Sequence, residues 1–471
     1  MAGRRILIVG AGIAGLAAAH RVGESSPGDE VVVLEGSERA GGKLRTAEVG
    51  GVQVDVGAEA MLHRRPEATD LARAVGLEDA LVHPAATSAQ LWNRNRLVPL
   101  PRTMMGVPGD VSVLREVLSR GGQLRAAIEP RLPATELGDA DVSIGDLVEE
   151  RFGREVVDRL VEPLLGGVYA GHAREISARA AVPQVVAMLA RDRSLTHAAA
   201  RALGQVDPSA PVAPVFAGIR GGIGRLAETA AATLGDAIQY DATVRDLARR
   251  PGGGWHVVIG DTRSPRVEAA DAVILATPAR PTARLLSDVA PKAALELARI
   301  EYASMAIVTL AFRSADFPEV AGSGFLVPPV DGHQIKAATY SFAKWGWVAD
   351  AGAAADEPVK VLRCSIGRHH EEASLQADDS ELVRIALADL AAATGVRAVP
   401  VDSHVQRWGG ALPQYAVGHV ARVARVRAAV DEVGGLAICG AAYDGLGIPA
   451  CIASADRAVA KVLQDLGTMA S

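Results

Sequence analysis

Residues 4–36 read RRILIVGAGIAGLAAAHRVGESSPGDEVVVLEG, and this stretch decides the fold. Arg4–Val9 and Glu30–Leu34 are short and β-branched, which predicts two strands. Between them the Ala-rich run Ile13–Gly23 predicts a helix. The turn that joins the first strand to the helix is Gly10-Ala11-Gly12-Ile13-Ala14-Gly15, a G-x-G-x-x-G. Gly10 allows a tight turn, Gly12 lets the backbone approach a pyrophosphate, and Gly15 lets the helix lie close on the strand. The helix N-terminus then offers phosphate its unpaired N–H groups and the positive end of its dipole. Glu35 stands 20 residues beyond Gly15, at the end of the second strand, where a carboxylate can accept from ribose hydroxyls. A glycine pattern alone is a weak signal. Strand, turn, helix, strand and acid in this order predict a dinucleotide-binding βαβ unit.

Working outward, 471 residues are too many for one simple core, and two or three domains are expected. A net charge of −6 argues against a nucleic-acid partner, which would need a basic face. Cys364, Cys439 and Cys451 form no CxxC or Cys/His cluster, so no metal site or disulfide framework is expected from them. The apolar run Ile6–Val9 leads straight into the glycine turn and does not read as a secretory leader. No run of about 18 apolar residues predicts a spanning helix. The expected location is the cytoplasm.

The middle of the chain differs from its ends. Ser143–Phe152, Glu155–Leu165 and Ala180–Ala190 show helical periodicity, punctuated by Pro130, Pro133 and Pro163. A Pro/Ala segment, Gln205–Phe216, reads as a linker. Strands are expected at Ala237–Leu247, Trp255–Ile259, Ala272–Ala276 and Val359–Ile366, with 301–345 strand-rich. Ser380–Thr394 reads as a helix capped by Asp379 or Ser380. Leu436–Leu466 again reads strand, glycine loop, helix. The expected fold class is α/β, a Rossmann-like discontinuous domain with an α+β domain and a helical insert. The expected boundaries are 1–83, 218–289 and 431–471 for the nucleotide domain, 84–105, 204–217 and 290–430 for the substrate domain, and 106–203 for the helices.

Four further segments carry chemistry. Gly41-Gly42-Lys43 follows directly on the second strand, and such a glycine pair with basic neighbours resembles the extended FAD motif of the glutathione-reductase-like flavoproteins. Asp55-Val56-Gly57-Ala58-Glu59-Ala60 resembles the D-x-G-x-E segment whose backbone runs beside the isoalloxazine in those proteins. Asp271–Ala279 resembles their D-x-V-I-x-A-x-P strand, which brings Thr277 to the cofactor domain, and Val244 matches a position whose backbone meets adenine. Gly440-Ala441 through Leu446-Gly447-Ile448 is a glycine loop feeding a helix, a site that can stabilise charge on a reduced flavin.

Together these residues resemble the oxygen-dependent protoporphyrinogen and coproporphyrinogen III oxidases. Gly440–Ile452 is similar to the family's G-x-S-Y-x-G-V-G-I-P-D-C-I, departing at Ala442, Leu446 and Ala450. Ala411–His419 is similar to A-x-P-Q-Y-x-x-G-H, Gly218–Leu226 to G-x-x-G-G-x-x-x-L, and Pro163–Gly171 to P-x-x-x-G-V-Y-A-G. The resemblance implies non-covalent FAD and oxidation of a porphyrinogen to a porphyrin in three two-electron steps. Hydride would pass to flavin N5, and O2 would reoxidise the flavin to give H2O2. A pyrrolic macrocycle is electron-rich, so no catalytic dyad or triad is expected; positioning and charge do the work.

The high-GC Gram-positive members that this chain resembles act on coproporphyrinogen III, which makes that substrate the expectation and protoporphyrinogen IX the alternative. Four propionates call for cations. Arg64 and Arg65 are the preferred pair, with Arg94, Arg96, Arg102, Lys336 and Lys344 as further candidates. Tyr415 and His419 are candidates to line the substrate pocket, and Trp408 to border the flavin. The resemblance also implies weak peripheral membrane contact and a downstream haem-pathway enzyme as partner. A non-catalytic binding protein on the same fold is the rival of another class, and intact Gly10, Gly12, Gly15 and Glu35 argue against it.

Overall fold

The computed structural model describes residues 3–204 and 214–469. The expected linker at 205–216 lies outside the described residues except for its last three. At the centre is a five-stranded parallel sheet in the order Ile238–Gln239, Glu30–Leu34, Arg5–Val9, Ala272–Leu275, Leu436–Ile438. Its strands come from the start, middle and end of the chain. Parallel strands buried on both faces should be apolar without interruption, and Ala272–Leu275 and Ile6–Val9 are.

Side chains alternate between two cores, as strand geometry requires. Ile6, Ile8 and Val33 face helices Ile13–Ser25, Gly224–Leu234 and Ile448–Met469. Leu7, Val9, Val32 and Leu34 face a three-stranded antiparallel sheet, Val244–Arg249, Trp255–Ile259 and Arg266–Ala270. The expected α/β class with a Rossmann-like sheet is therefore what the chain forms.

A second sheet has seven strands, in the order Asp402–Pro413, Tyr302–Arg313, Val359–Ile366, Ile335–Thr339, Gly324–Leu326, Gln90–Asn93, Arg96–Pro99. All neighbours are antiparallel except Gly324–Leu326 with Gln90–Asn93. A third core gathers helices from Ile144–Phe152 to Leu195–Gly204 around Leu147, Phe152, Leu160 and Leu165. Among the described residues no helix is long and apolar enough to cross a membrane.

Four local expectations needed correction. The single strand expected at Ala237–Leu247 is two, Ile238–Gln239 in the parallel sheet and Val244–Arg249 in the antiparallel one. Asp241, at φ +52°, turns the chain between them. The helix expected at Ala180–Ala190 breaks at Val182, and Pro183 opens a new helix to Leu189, because proline cannot donate inside a helix but fits its first turn. Pro163 does not punctuate. A π-helical turn at Val157–Val161 precedes it, which releases the i−4 carbonyl that a proline ring would strike, and the helix runs on through Glu162–Tyr169. Asp378, not Asp379 or Ser380, caps helix Asp379–Thr394, its side chain accepting from the Glu381 N–H.

Candidate cofactor site and active site

The glycine turn has the geometry its residues imply. Gly10, at φ +103°, donates its N–H to the Leu34 carbonyl at 2.8 Å, tying the turn to the second strand. A Cβ on Gly15 would lie 1.8 Å from the Gly10 carbonyl oxygen, so the helix sits against the turn as closely as glycine permits. A Cβ on Gly12 would meet nothing within 4 Å. Gly12 caps the helix without a side-chain hydrogen bond to its first N–H groups. This open cradle fits a pyrophosphate. Glu35 accepts the Ala11 N–H at 2.7 Å through one carboxylate oxygen and the Ser37 N–H and Oγ through the other.

The second glycine pair lies on the first. Gly41 donates to the Ala11 carbonyl at 2.8 Å, and Gly12 and Gly41 form a parallel bridge. Val244 is reached through Ala242, whose N–H donates to the Glu35 carbonyl at 2.7 Å. Thr277 Oγ1 pairs with Thr282 Oγ1 at 2.8 Å, just beyond the central strand Ala272–Leu275, and the Ala276 carbonyl lies 3.2 Å from where a Gly10 Cβ would be. Gly10–Gly15, Glu35, Gly41-Gly42, Val244 and Thr277 thus form one neighbourhood at the carboxyl ends of the parallel strands, where open α/β sheets bind ligands.

Lys43 joins this neighbourhood to the second sheet. Its carbonyl accepts from Ala58 N at 3.4 Å and leaves no room for a Cβ on Gly57, which would sit 2.0 Å away. Its ammonium makes no hydrogen bond or ion pair among the described residues, and burial lowers its pKa. The Cys451 thiol, in the first turn of helix Ile448–Met469, is near enough to act on that charge. An unpaired, largely enclosed ammonium beside a helix N-terminus is a site for an electron-rich group.

Asp55-Val56-Gly57-Ala58-Glu59 is held from both sides; of the residues that hold it, Trp408 and Lys344 were singled out from the sequence for other roles, at the flavin and at a propionate, and Arg363 and Ser341 were not. Asp55 accepts Ile223 N at 2.9 Å and Gly224 N at 3.1 Å, at the start of helix Gly224–Leu234. Arg363 donates to the Asp55 and Gly57 carbonyls at 2.7 and 3.0 Å. Trp408 Nε1 donates to the Val56 carbonyl at 2.9 Å, so this indole positions the segment. Glu59 accepts from Ser341 Oγ at 2.8 Å and Lys344 Nζ at 2.9 Å. Ala60 packs against the core of the second sheet. Arg363 left no distinctive trace in the sequence: its strand, VKVLRCSI, also carries Lys360.

These two acids titrate in opposite directions. Burial raises Asp55 to about 7 against the pull of the Ile223 N–H and Arg363. Burial would also raise Glu59, but Arg363 and Lys344 outweigh it and hold the carboxyl at about 2. The folded state therefore keeps a proton on Asp55 that the unfolded chain has lost, and stability falls as pH rises from about 4 to 7. Glu59 contributes stability above its ordinary pKa and loses it as pH falls toward 2. We expect the melting temperature to drop between pH 5 and pH 8, and Asp55→Asn to remove that slope. A slope unchanged in Asp55→Asn would contradict the assignment.

The C-terminal loop is fastened by Tyr415. Its hydroxyl donates to the Ala441 carbonyl at 2.6 Å and accepts from Gly445 N at 2.8 Å. Gly440, at φ +122°, donates to Ser454 Oγ at 2.8 Å. Leu446 packs on the helical core, and Gly447 opens helix Ile448–Met469. His419 stacks on Tyr415 with centroids 3.9 Å apart. Burial pulls the imidazole down to about 4, so it packs as a neutral ring. Tyr415→Phe would leave the Gly445 N–H unpaired, at a cost of about 1–3 kcal/mol. We expect flavin retention to weaken by about tenfold at constant fold, read by flavin titration of the apo-protein.

The segments Pro163–Gly171 and Ala411–His419 meet. Gln414 donates to the Tyr169 carbonyl at 2.8 Å, and its Oε1 lies 2.0 Å from where a Gly171 Cβ would be. Tyr415 accepts the Ser177 N–H at its carbonyl at 2.7 Å. Of the expected carboxylate partners, Arg64 is exposed and unpaired among the described residues. Arg65 is paired with Glu67, Arg94 with Glu155, and Lys344 with Glu59. Arg102 donates to the Leu203 carbonyl at 2.9 Å, and Arg96 is exposed. Lys336 is buried and donates to the Gly367 carbonyl at 2.5 Å. The structure does not bring these cations together.

Comparison with known proteins gives the family. The model of the flavin-containing amine oxidoreductases matches residues 13–463, and the chain belongs to that family. It is 38% identical over 470 residues, covering 99% of both chains, to a Mycobacterium tuberculosis protein named coproporphyrinogen III oxidase. It is 28% identical over 487 residues, covering 98% of both chains, to a Macaca fascicularis protein named protoporphyrinogen oxidase. A solved structure from Exiguobacterium sp. 255-15, provisionally described as a protoporphyrinogen oxidase, superposes with a TM-score of 0.85 at 29% identity, covering 99% of this chain and 100% of that one. The expected kinship with the porphyrinogen-oxidising flavoenzymes is thereby met, and the protein is a flavin-dependent oxidoreductase.

Proposed function

We propose that this flavoenzyme oxidises coproporphyrinogen III to coproporphyrin III with dioxygen, using non-covalently bound FAD. The observation that carries the reading is the 38% identity over 99% of the chain, combined with the open cradle at Gly12 and the unpaired Lys43 ammonium. The lower identity to the protein named protoporphyrinogen oxidase disfavours that alternative. When bound, the flavin supplies a two-electron acceptor that dioxygen restores.

The chain's own residues bind and orient. Gly10, Ala11, Gly12, Ile13, Ala14 and Gly15 would hold the pyrophosphate, and Glu35 the ribose. Gly41, Gly42 and Val244 would line the adenosine side, with Thr277 at its edge. The Gly57–Ala60 backbone, steadied by Arg363 and Trp408, would border the ring, opposite Lys43 and the loop Gly440–Ile448. Lys43 and the helix N-terminus would stabilise negative charge on the reduced ring. Arg64 has a guanidinium free to meet a propionate. The layout is read as a cofactor domain of three segments, a substrate domain and a helical insert, with the boundaries given above, working in the cytoplasm.

The purified chain should be yellow and should release its flavin on acid precipitation. Under oxygen it should turn over coproporphyrinogen III faster than protoporphyrinogen IX, followed by porphyrin fluorescence. Faster turnover of protoporphyrinogen would overturn the substrate, and a colourless protein that takes up no flavin would overturn the chemistry.

A further inference from the structure

Away from the flavin motifs, Glu175, His369 and His370 bring three ligand atoms within 4.8 Å of one another. Among the described residues this is the one such group of three or more His, Cys, Asp or Glu side chains. Glu175 Oε2 lies 3.4 Å from His369 Nδ1 and 3.8 Å from His370 Nε2. Four donors at zinc bond lengths of roughly 2.1 Å stand about 3.4 Å apart at the corners of a tetrahedron. The observed separations fit two of those edges. Two imidazoles and one carboxylate suit a borderline-soft transition ion and not magnesium or calcium, which take oxygen shells.

The second ring nitrogen of His369 provides an independent sign. His369 is 5% exposed, and its Nε2 faces Glu301 Oε2 at 3.6 Å. A metal-binding histidine commonly donates its other N–H to a carboxylate, which fixes the tautomer and raises the basicity of the ligating nitrogen. Here Nε2 faces a carboxylate at 3.6 Å, and Nδ1 is turned toward Glu175, within 3.4 Å of its Oε2, where an ion would take the place of that contact. The backbone holds the ring in place: His369 N donates to the Ala170 carbonyl at 2.7 Å, and the His369 carbonyl is 2.9 Å from His172 Nε2. Glu175 and His370 are exposed, so an ion can enter and water can complete its shell.

The geometry points to a zinc-class divalent metal site built from Glu175, His369 and His370, with Glu301 behind His369. Such an ion joins two parts of the chain that only the fold brings together. Glu175 follows the Pro163–Gly171 segment, and its carbonyl accepts the Val417 N–H at 3.2 Å, two residues past Tyr415. His369 and His370 follow the strand Val359–Ile366 of the second sheet. The ion thus clamps the helical insert to that sheet, beside the tyrosine that fastens the C-terminal loop. Because the ligands exist as a set only in the folded state, binding stabilises that state.

The test uses the full chain with its flavin, stripped with chelator and titrated with Co2+ and then Zn2+. One equivalent of Co2+ should give the visible ligand-field bands of a tetrahedral site, and Zn2+ should displace them and raise the melting temperature. Glu175→Gln, His369→Ala and His370→Ala should each weaken binding by about tenfold or more, and Glu301→Gln by about tenfold through the tautomer of His369. His256→Ala, at an exposed histidine elsewhere, should bind as the parent does. His370 and Glu175 are exposed, so their variants keep the fold. Absence of stoichiometric binding, or binding that survives in both His370→Ala and Glu175→Gln, would overturn the site.

Discussion

Gly15→Val yields a protein without flavin and with a damaged nucleotide domain, whereas Gly12→Ala folds normally and loses the flavin all the same. The two glycines are three residues apart but face different surroundings. A Cβ on Gly15 collides at 1.8 Å with the Gly10 carbonyl, and the next obstacle is the Ala276 Cβ at 3.3 Å. Both belong to elements in the centre of the sheet, so neither can give way. The helix must lift off its strand, exposing the packing of Leu16, Ala17 and Ala18, which are buried in that core. Overpacking of this kind costs about 1–3 kcal/mol even where some relaxation is available. Gly12 has φ −69°, which alanine adopts freely, and open space around it. The methyl of Gly12→Ala therefore costs the apo-protein less than about 1 kcal/mol. It does occupy the space that a pyrophosphate needs, and we expect flavin affinity to fall by about a hundredfold, or roughly 3 kcal/mol. Flavin absorbance of the purified variants, together with apo-protein melting, reads both effects. A Gly12→Ala protein that retains stoichiometric flavin would remove the pyrophosphate from this cradle.

Glu129→Ala destabilises the helical insert by about 3–5 kcal/mol, the cost of leaving a buried charge without its partner. Glu129 is fully buried and Arg151 is 1% exposed. The carboxylate accepts from Arg151 Nε at 2.9 Å, Ser194 Oγ at 2.7 Å and Leu195 N at 2.9 Å, ending at Thr196 N at 3.2 Å. Burial opposes the ionised form, but these donors keep its pKa below the ordinary value. Arg151 also donates to the Pro133 and Arg193 carbonyls at 2.5 and 2.8 Å. One ion pair thus ties the turn after helix Arg120–Ala127, helix Ile144–Phe152 and the start of helix Leu195–Gly204. The helices of this region share their core with Leu91 and Val98 of the second sheet and not with the parallel sheet, so their unfolding should separate from that of the parallel sheet as an earlier denaturant transition. The double variant Glu129→Leu/Arg151→Met should recover part of the loss, since apolar side chains need no partner. A single transition unmoved in Glu129→Ala would refute this account.

The elements that the sequence showed best are those with local causes. The glycine turn and the apolar parallel strands follow from side-chain size, branching and alternation over a few residues, and they appear where those patterns predict. The misreadings have local shape but distant causes. Nothing near Asp241 indicates that the chain leaves one sheet for another there, because strand length is set by the partner strand and not by propensity. Pro163 reads as a break until the π-helical turn before it is seen.

By itself, the sequence determined a dinucleotide unit at Gly10–Glu35, the α/β class, and kinship with the porphyrinogen-oxidising flavoenzymes. Tertiary structure decided which polar residues serve one another. Arg363 steadies a backbone segment some 300 residues away, at Asp55 and Gly57. Tyr415 fastens the C-terminal loop, and Lys344 neutralises Glu59, so a residue expected at the substrate is engaged elsewhere. Glu175 and His369 meet across 194 residues. Hydrogen bonds and metal ligation act over about 3 Å in space and carry no periodicity along the chain. Only the folded path of the backbone can bring such pairs together.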